Sequence, residues 1–104
     1  MNAFDVQLTN RTDEEETFTV ETVADGKRVV AGSATVAGNT TSILGRVPAD
    51  VREVSVDVIA DTTDRSWTQT FDLTDQPNPL EALEIQLQAP GVLRVHPLYY
   101  ESPY

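Results

Sequence analysis

His96 is the one histidine of the 104-residue chain, and there is no cysteine. Acid–base, nucleophilic and metal chemistry therefore falls to carboxylates and hydroxyls. His96 stands in Val95-His96-Pro97, where an alternation that points Leu93 and Val95 inward turns the imidazole toward solvent or an interface. A hydrolase triad would need Ser33, Ser42, Ser55, Ser66 or Ser102 as nucleophile, and none of them lies in a G-x-S-x-G turn. Asp13-Glu14-Glu15-Glu16 and the pair Asp61 and Asp64 place carboxylates at turns that could hold calcium, but the spaced D-x-D-x-D-G ligand pattern is missing. A solvated acidic turn is the expectation there. Glycines 26, 32, 38, 45 and 91 are scattered singly, so no loop is built to cradle phosphate. Two triplets, Asn10-Arg11-Thr12 and Asn39-Thr40-Thr41, match the N-glycosylation acceptor pattern, and both fall at turns. These residues point to a protein that is not an enzyme, with no catalytic, cofactor-binding or metal-ligating residues and no cofactor.

The segment most out of line with the composition is Leu98-Tyr99-Tyr100-Glu101-Ser102-Pro103-Tyr104, which holds all three tyrosines. Tyrosine buries a large ring with few rotors while its hydroxyl keeps a hydrogen bond, which suits it to interfaces. Leu98, Tyr99, Tyr100 and Tyr104 are therefore the expected partner-binding residues, on a tail over 98–104 that follows a single domain over 1–97. The competing use of such a tail is to fold back over an open edge of its own sheet.

Seventeen Asp plus Glu against seven Lys plus Arg leave a formal charge of -10. That field repels phosphate backbones and anionic headgroups, which argues against nucleic acid and membrane partners. Lys27 is the single lysine, Thr and Val number 13 each, and isoleucine is scarce. Such a balance resembles that of a haloarchaeal or other halophilic proteome, where salt screens the self-repulsion of an acidic domain; an acidic mesophilic domain is the alternative. The opening Met1-Asn2-Ala3-Phe4-Asp5-Val6 has neither a basic start nor an apolar stretch, so a soluble chain made without an export signal is expected.

The elements that would carry these residues read as strands. Phe4, Val6 and Leu8 alternate with polar neighbours, as do Phe18 and Val20, and Asp25-Gly26 supplies a tight hairpin turn after them. Val30, Gly32, Ala34 and Val36 share a face of a third strand, and Ala37-Gly38-Asn39 is the next turn. Ile43 and Val47 share the phase of a fourth, stopped by Pro48. Val54, Val56 and Val58 form the clearest strand. Trp67, Phe71 and Leu73 follow, with Gln69 on their apolar face as a bulge or a hydrogen-bonded amide. After Gln76-Pro77-Asn78-Pro79 come Leu83, Ile85 and Leu87, and past Ala89-Pro90-Gly91, Leu93 and Val95. Helical spacing is absent except for one turn at Pro79-Leu80-Glu81-Ala82. Seven or eight short strands at spacings near ten residues predict an all-β fold, an immunoglobulin-like antiparallel β-sandwich; a small barrel fits the same pattern. The predicted core is Phe4, Val6, Leu8, Phe18, Val20, Val54, Val56, Val58, Trp67, Phe71, Ile85 and Leu87.

The runs Phe4-Asp5-Val6-Gln7-Leu8-Thr9-Asn10-Arg11-Thr12, Thr17-Phe18-Thr19-Val20-Glu21, Asp25-Gly26-Lys27 and Val36-Ala37-Gly38-Asn39-Thr40-Thr41 resemble the adhesion-related, CARDB-like immunoglobulin modules of haloarchaeal proteins. The resemblance covers roughly the first half of the chain. It implies an immunoglobulin-like sandwich. A stand-alone sandwich made without an export signal, with edge strands and an aromatic tail, suits a structural or protein-interaction subunit of a larger assembly. The leading expectation is a virion component of a halophilic archaeal virus (capsid decoration, turret or tail), assembled in the cytoplasm. A cell-surface adhesion module and a small cytoplasmic binding protein are the alternatives. The expected partner is another protein or another copy, engaged through edge strands and the C-terminal tail, so the chain would be an oligomer or part of a large complex.

Overall fold

A computed structural model describes residues 3–48, 50–61, 64–74, 80–88 and 92–99 of the chain. They form eight strands: β1 (Ala3–Arg11), β2 (Glu16–Ala24), β3 (Lys27–Val36), β4 (Thr40–Pro48), β5 (Glu53–Ala60), β6 (Arg65–Asp72), β7 (Leu80–Gln88) and β8 (Val92–Tyr99). The strands make two four-stranded sheets, ordered β4-β1-β7-β8 and β3-β2-β5-β6. These pack face to face as an all-β sandwich, not a barrel. Every pairing is antiparallel except β1 with β7, which runs parallel. Parallel neighbours need a long connection, and here the whole second sheet lies between them in sequence. The residues 76–79 and 89–91 expected to make the last two connections lie outside the described residues.

Period-two alternation becomes burial directly. Phe4, Val6 and Leu8 of β1 face Phe18 and Val20 of β2 and Val54, Val56 and Val58 of β5 across the interior, each at most 2% exposed. Leu83, Ile85 and Leu87 of β7 join them, and Leu93 and Val95 of β8 close one margin. Asp25 and Gly26 both take positive φ, 49° and 81°. This is the two-residue turn that matches the twist of a hairpin, and it pairs Ala24 with Lys27. The Asp25 carboxylate then accepts the backbone N–H groups of Arg52 and Glu53, both at 3.0 Å, fastening the hairpin to the start of β5.

The departures from the sequence reading sit at bulges and margins. Ile43 does not share a face with Val47: Val6 pairs with Gly45 but Gln7 with Ile43, so Leu44 is an extra residue that reverses the alternation. Val47 is buried and Ile43 is 61% exposed. Trp67 projects toward the interior side opposite Val58, yet it is 41% exposed because β6 is the margin of its sheet. Gln69 needs no bulge; its Oε1 accepts the Trp67 indole N–H at 2.9 Å. The expected helical turn at 79–82 is strand from Leu80 onward. The expected tail also begins too early, since Leu98 and Tyr99 pair with Ala82 and Leu80 as the end of β8.

Candidate functional site

The two broad faces of the sandwich differ in chemistry. The register lays out the outer face of the β4-β1-β7-β8 sheet in rows across the strands: Arg46, Asp5, Ala82 and Leu98; Ile43, Gln7, Glu84 and His96; Thr41, Thr9, Gln86 and Arg94. Arg11, Gln88 and Val92 complete it at one end. Its charges are near balance, with Arg11, Arg46 and Arg94 against Asp5 and Glu84. Ile43, Val92 and Leu98 are exposed apolar residues upon it. The outer face of the other sheet carries Glu21, Glu53, Asp57 and Asp72 against Arg28, set among the hydroxyls of Thr17, Thr19, Ser33, Thr35, Ser55, Ser66, Thr68 and Thr70.

On the first face the polar side chains hold one another in place. Thr9 donates its hydroxyl to Glu84 Oε2 at 2.7 Å. Its single hydrogen being used there, the 3.0 Å contact with Thr41 must have Thr41 as donor. Gln86 Nε2 donates to Glu84 Oε1, and Gln88 Nε2 donates to Gln86 Oε1 at 2.8 Å. The chain of bonds runs from β4 through β1 and along β7, and it leaves Thr9 and Gln86 nearly buried on a face over which the described residues place no layer. Side chains already fixed in one arrangement lose little entropy when a partner covers them. Arg46 adds an ion pair to Asp5 at 3.0 Å.

The residues singled out in the sequence fall in different places. His96 lies on this outer face, half-buried and opposite Glu84. Ser33, Ser55 and Ser66 are on the far side of the molecule and Ser42 is opposite Leu8, so no described serine can meet the imidazole. Leu98 and Tyr99 are 37% and 39% exposed, but alternation puts them on opposite sides of β8: Leu98 beside Ala82 on the outer face, Tyr99 beyond the core margin opposite Leu80. Tyr100 and Tyr104 lie outside the described residues. Nothing among the described strands pairs with the far side of β8, which ends its sheet.

Asp13, Glu14 and Glu15 are exposed, as a solvated turn requires, but Glu16 is 3% exposed and its Oε2 accepts the N–H of Thr17 at 3.0 Å. Sequence alone groups Glu16 with the acidic turn, although it continues the inward phase of Phe18 and Val20, the signal that shows its burial. Among the described residues no three carboxylate or histidine side chains come together to hold a metal. A polar cleft of ≈ 350 Å³ opens where β1 ends and β4 begins, lined by Thr9, Asn10, Arg11, Asn39, Thr40 and Thr41. The sequence signal for it was the pair of Asn-x-Thr triplets. Comparison of the chain with protein-family models, curated proteins and solved structures finds no match.

Proposed function

We propose that the chain is a non-enzymatic structural subunit of a protein assembly, an immunoglobulin-like module of the haloarchaeal CARDB-like type serving as a virion component of a halophilic archaeal virus. The observation that carries this reading is the β8 margin. Among the described residues it is a sheet edge with no strand paired to it, with Leu98 exposed on one side and Tyr99 on the other, and it precedes the segment that contains Tyr100 and Tyr104. An added strand would satisfy the backbone groups of that edge, and the flanking leucine and tyrosines would supply buried area. The near-neutral outer face beside it favours the same direction of approach, because a domain of charge -10 meets least repulsion there. The acidic composition supports the halophilic setting.

The test is light scattering in molar KCl on the full chain, on a chain ended after Tyr99, and on Leu98→Asp. We expect a concentration-dependent oligomer whose dissociation constant rises about tenfold or more in both variants, the loss of one interface anchor. Ending the chain after Tyr99 keeps β8 whole, so a folding defect is not confused with lost contacts. A monomer at every concentration, with no co-purifying protein partner, would remove the reading.

A further inference from the structure

The fold treats the two Asn-x-Thr triplets in opposite ways. Asn10 is 0% exposed and both hydrogens of its amide are spent, on the carbonyls of Glu14 at 2.7 Å and Val36 at 3.0 Å. Its Oδ1 accepts the backbone N–H of Thr12 at 3.0 Å and the Thr12 hydroxyl at 2.7 Å. The same Thr that completes the acceptor pattern is thus consumed in locking the asparagine inside. Asn39 stands exposed at the turn between β3 and β4 with φ 59°, a left-handed conformation that asparagine tolerates. Its Nδ2 has one long contact, 3.4 Å to Asp13 Oδ1. Beside it opens the polar cleft lined in part by Arg11, Thr40 and Thr41, in a volume within the range of small-ligand sites; the Thr40 hydroxyl donates to the Ala37 carbonyl at 2.7 Å and keeps acceptor capacity.

We propose that Asn39 is an acceptor for an N-linked glycan and that the cleft seats the sugar attached to it. The donor is an oligosaccharide carried on a polyprenyl phosphate or pyrophosphate. A bond forms between Asn39 Nδ2 and the anomeric carbon of the first sugar. The bond from that carbon to the phosphate oxygen breaks, the lipid-linked phosphate leaves with the electron pair, and Nδ2 gives up one proton. Asn10 cannot take part while the chain is folded, since a sugar there would cost the tie to Glu14 and Val36. The inference does not rest on the assembly reading, because Asn39 lies at the end of the sandwich opposite Leu98 and Tyr99. It does place the chain on a route past a membrane-bound transferase, in contrast to the cytoplasmic assembly that the sequence suggests.

The test is mass spectrometry of the chain from the cells that make it, together with transfer in vitro by a purified oligosaccharyltransferase supplied with a lipid-linked oligosaccharide. The natural chain should carry one glycan, on the peptide containing Asn39. The folded chain should accept one glycan in vitro, lost in Asn39→Gln and Thr41→Ala and kept in Thr41→Ser, while the urea-unfolded chain also takes one at Asn10. An unmodified Asn39 in the natural chain overturns the proposal, as does transfer to Asn10 in the folded chain or no transfer to either form. Nuclear Overhauser contacts from the first sugar to the Thr40 and Thr41 methyls read its seating. Their absence overturns the role of the cleft.

Discussion

The side-chain amide of Asn10 on β1 donates to the carbonyl of Val36 on β3 at 3.0 Å, joining one sheet to the other. The same group holds the 12–14 turn through Glu14 and Thr12. Removing it takes the side-chain donor from the buried carbonyl of Val36, which costs more than the bond itself contributes, while the Glu14 carbonyl keeps the Thr12 hydroxyl at 3.0 Å. We expect Asn10→Ala to lose about 2–4 kcal/mol of folding stability, from one buried and three part-buried hydrogen bonds at up to roughly 1 kcal/mol each. Asn39→Gly should change stability by less than about 1 kcal/mol, because glycine accepts the same backbone angle. Urea denaturation of the two variants in molar KCl reads the contrast. Equal losses would show that Asn10 is not the tie it is taken to be.

Gly38 meets the same turn from the other side. A β-carbon at Gly38 would stand 2.7 Å from the carbonyl carbon and oxygen of Asp13, both backbone atoms that cannot swing away. Gly38→Ala should therefore destabilise by about 1–3 kcal/mol through overpacking. Gly32→Ala is the informative partner. Its β-carbon would meet nothing within 4 Å, and any loss there comes from its φ of 153°. Paired thermal melts that show Gly38→Ala as stable as the parent would mean that the 12–14 turn can move aside.

The residues that alternate without interruption were legible in the sequence, and those that depend on a neighbouring strand were not. Phe4, Val6 and Leu8, or Val54, Val56 and Val58, need only their own strand to declare a face. Ile43 declared the wrong one because Leu44 inserts a bulge against β1, a fact about pairing and not about composition. Trp67 keeps the right phase, but depth depends on a strand's place in its sheet. The tyrosine-rich segment was visible as composition, whereas the separation of Leu98 from Tyr99 follows from how far β8 continues. The balanced outer face was illegible for the same reason: Arg46, Glu84 and Arg94 come onto one face only through the β1–β4, β1–β7 and β7–β8 registers.

Trp67 offers a direct optical check of that margin. It is the single tryptophan, 41% exposed, with its indole N–H held by Gln69. Its emission should be red-shifted in the native state and quenched by acrylamide to a large fraction of the unfolded value. Trp67→Thr should cost about 1 kcal/mol, against about 3–5 kcal/mol for Phe18→Ala in the closed core. A blue-shifted, unquenchable emission would place the indole in the interior after all.

The acidic face sets the response to salt and pH. Glu53 and Asp72 are directly opposite in the β5–β6 pairing, like charges that destabilise a sheet until ions screen them. Asp57 lies on the same face and accepts the Thr68 hydroxyl at 2.7 Å. The melting temperature should rise from dilute buffer to molar KCl, and Glu53→Gln should flatten part of that rise. Asp72 itself is held below the usual carboxylate range by the Thr74 hydroxyl at 2.6 Å and then by the Thr74 N–H at 2.9 Å. A carboxylate whose folded pKa is depressed contributes stability above its unfolded pKa, and that contribution is lost as pH falls through the folded value. Its proton titration, followed by nuclear magnetic resonance, should therefore have a midpoint below the ordinary Asp value, and Thr74→Val should move that midpoint up. A melting temperature that is flat or falling with KCl would show that the charge of the chain is not an adaptation to salt. An unmoved Asp72 midpoint in Thr74→Val would show that the threonine does not hold it.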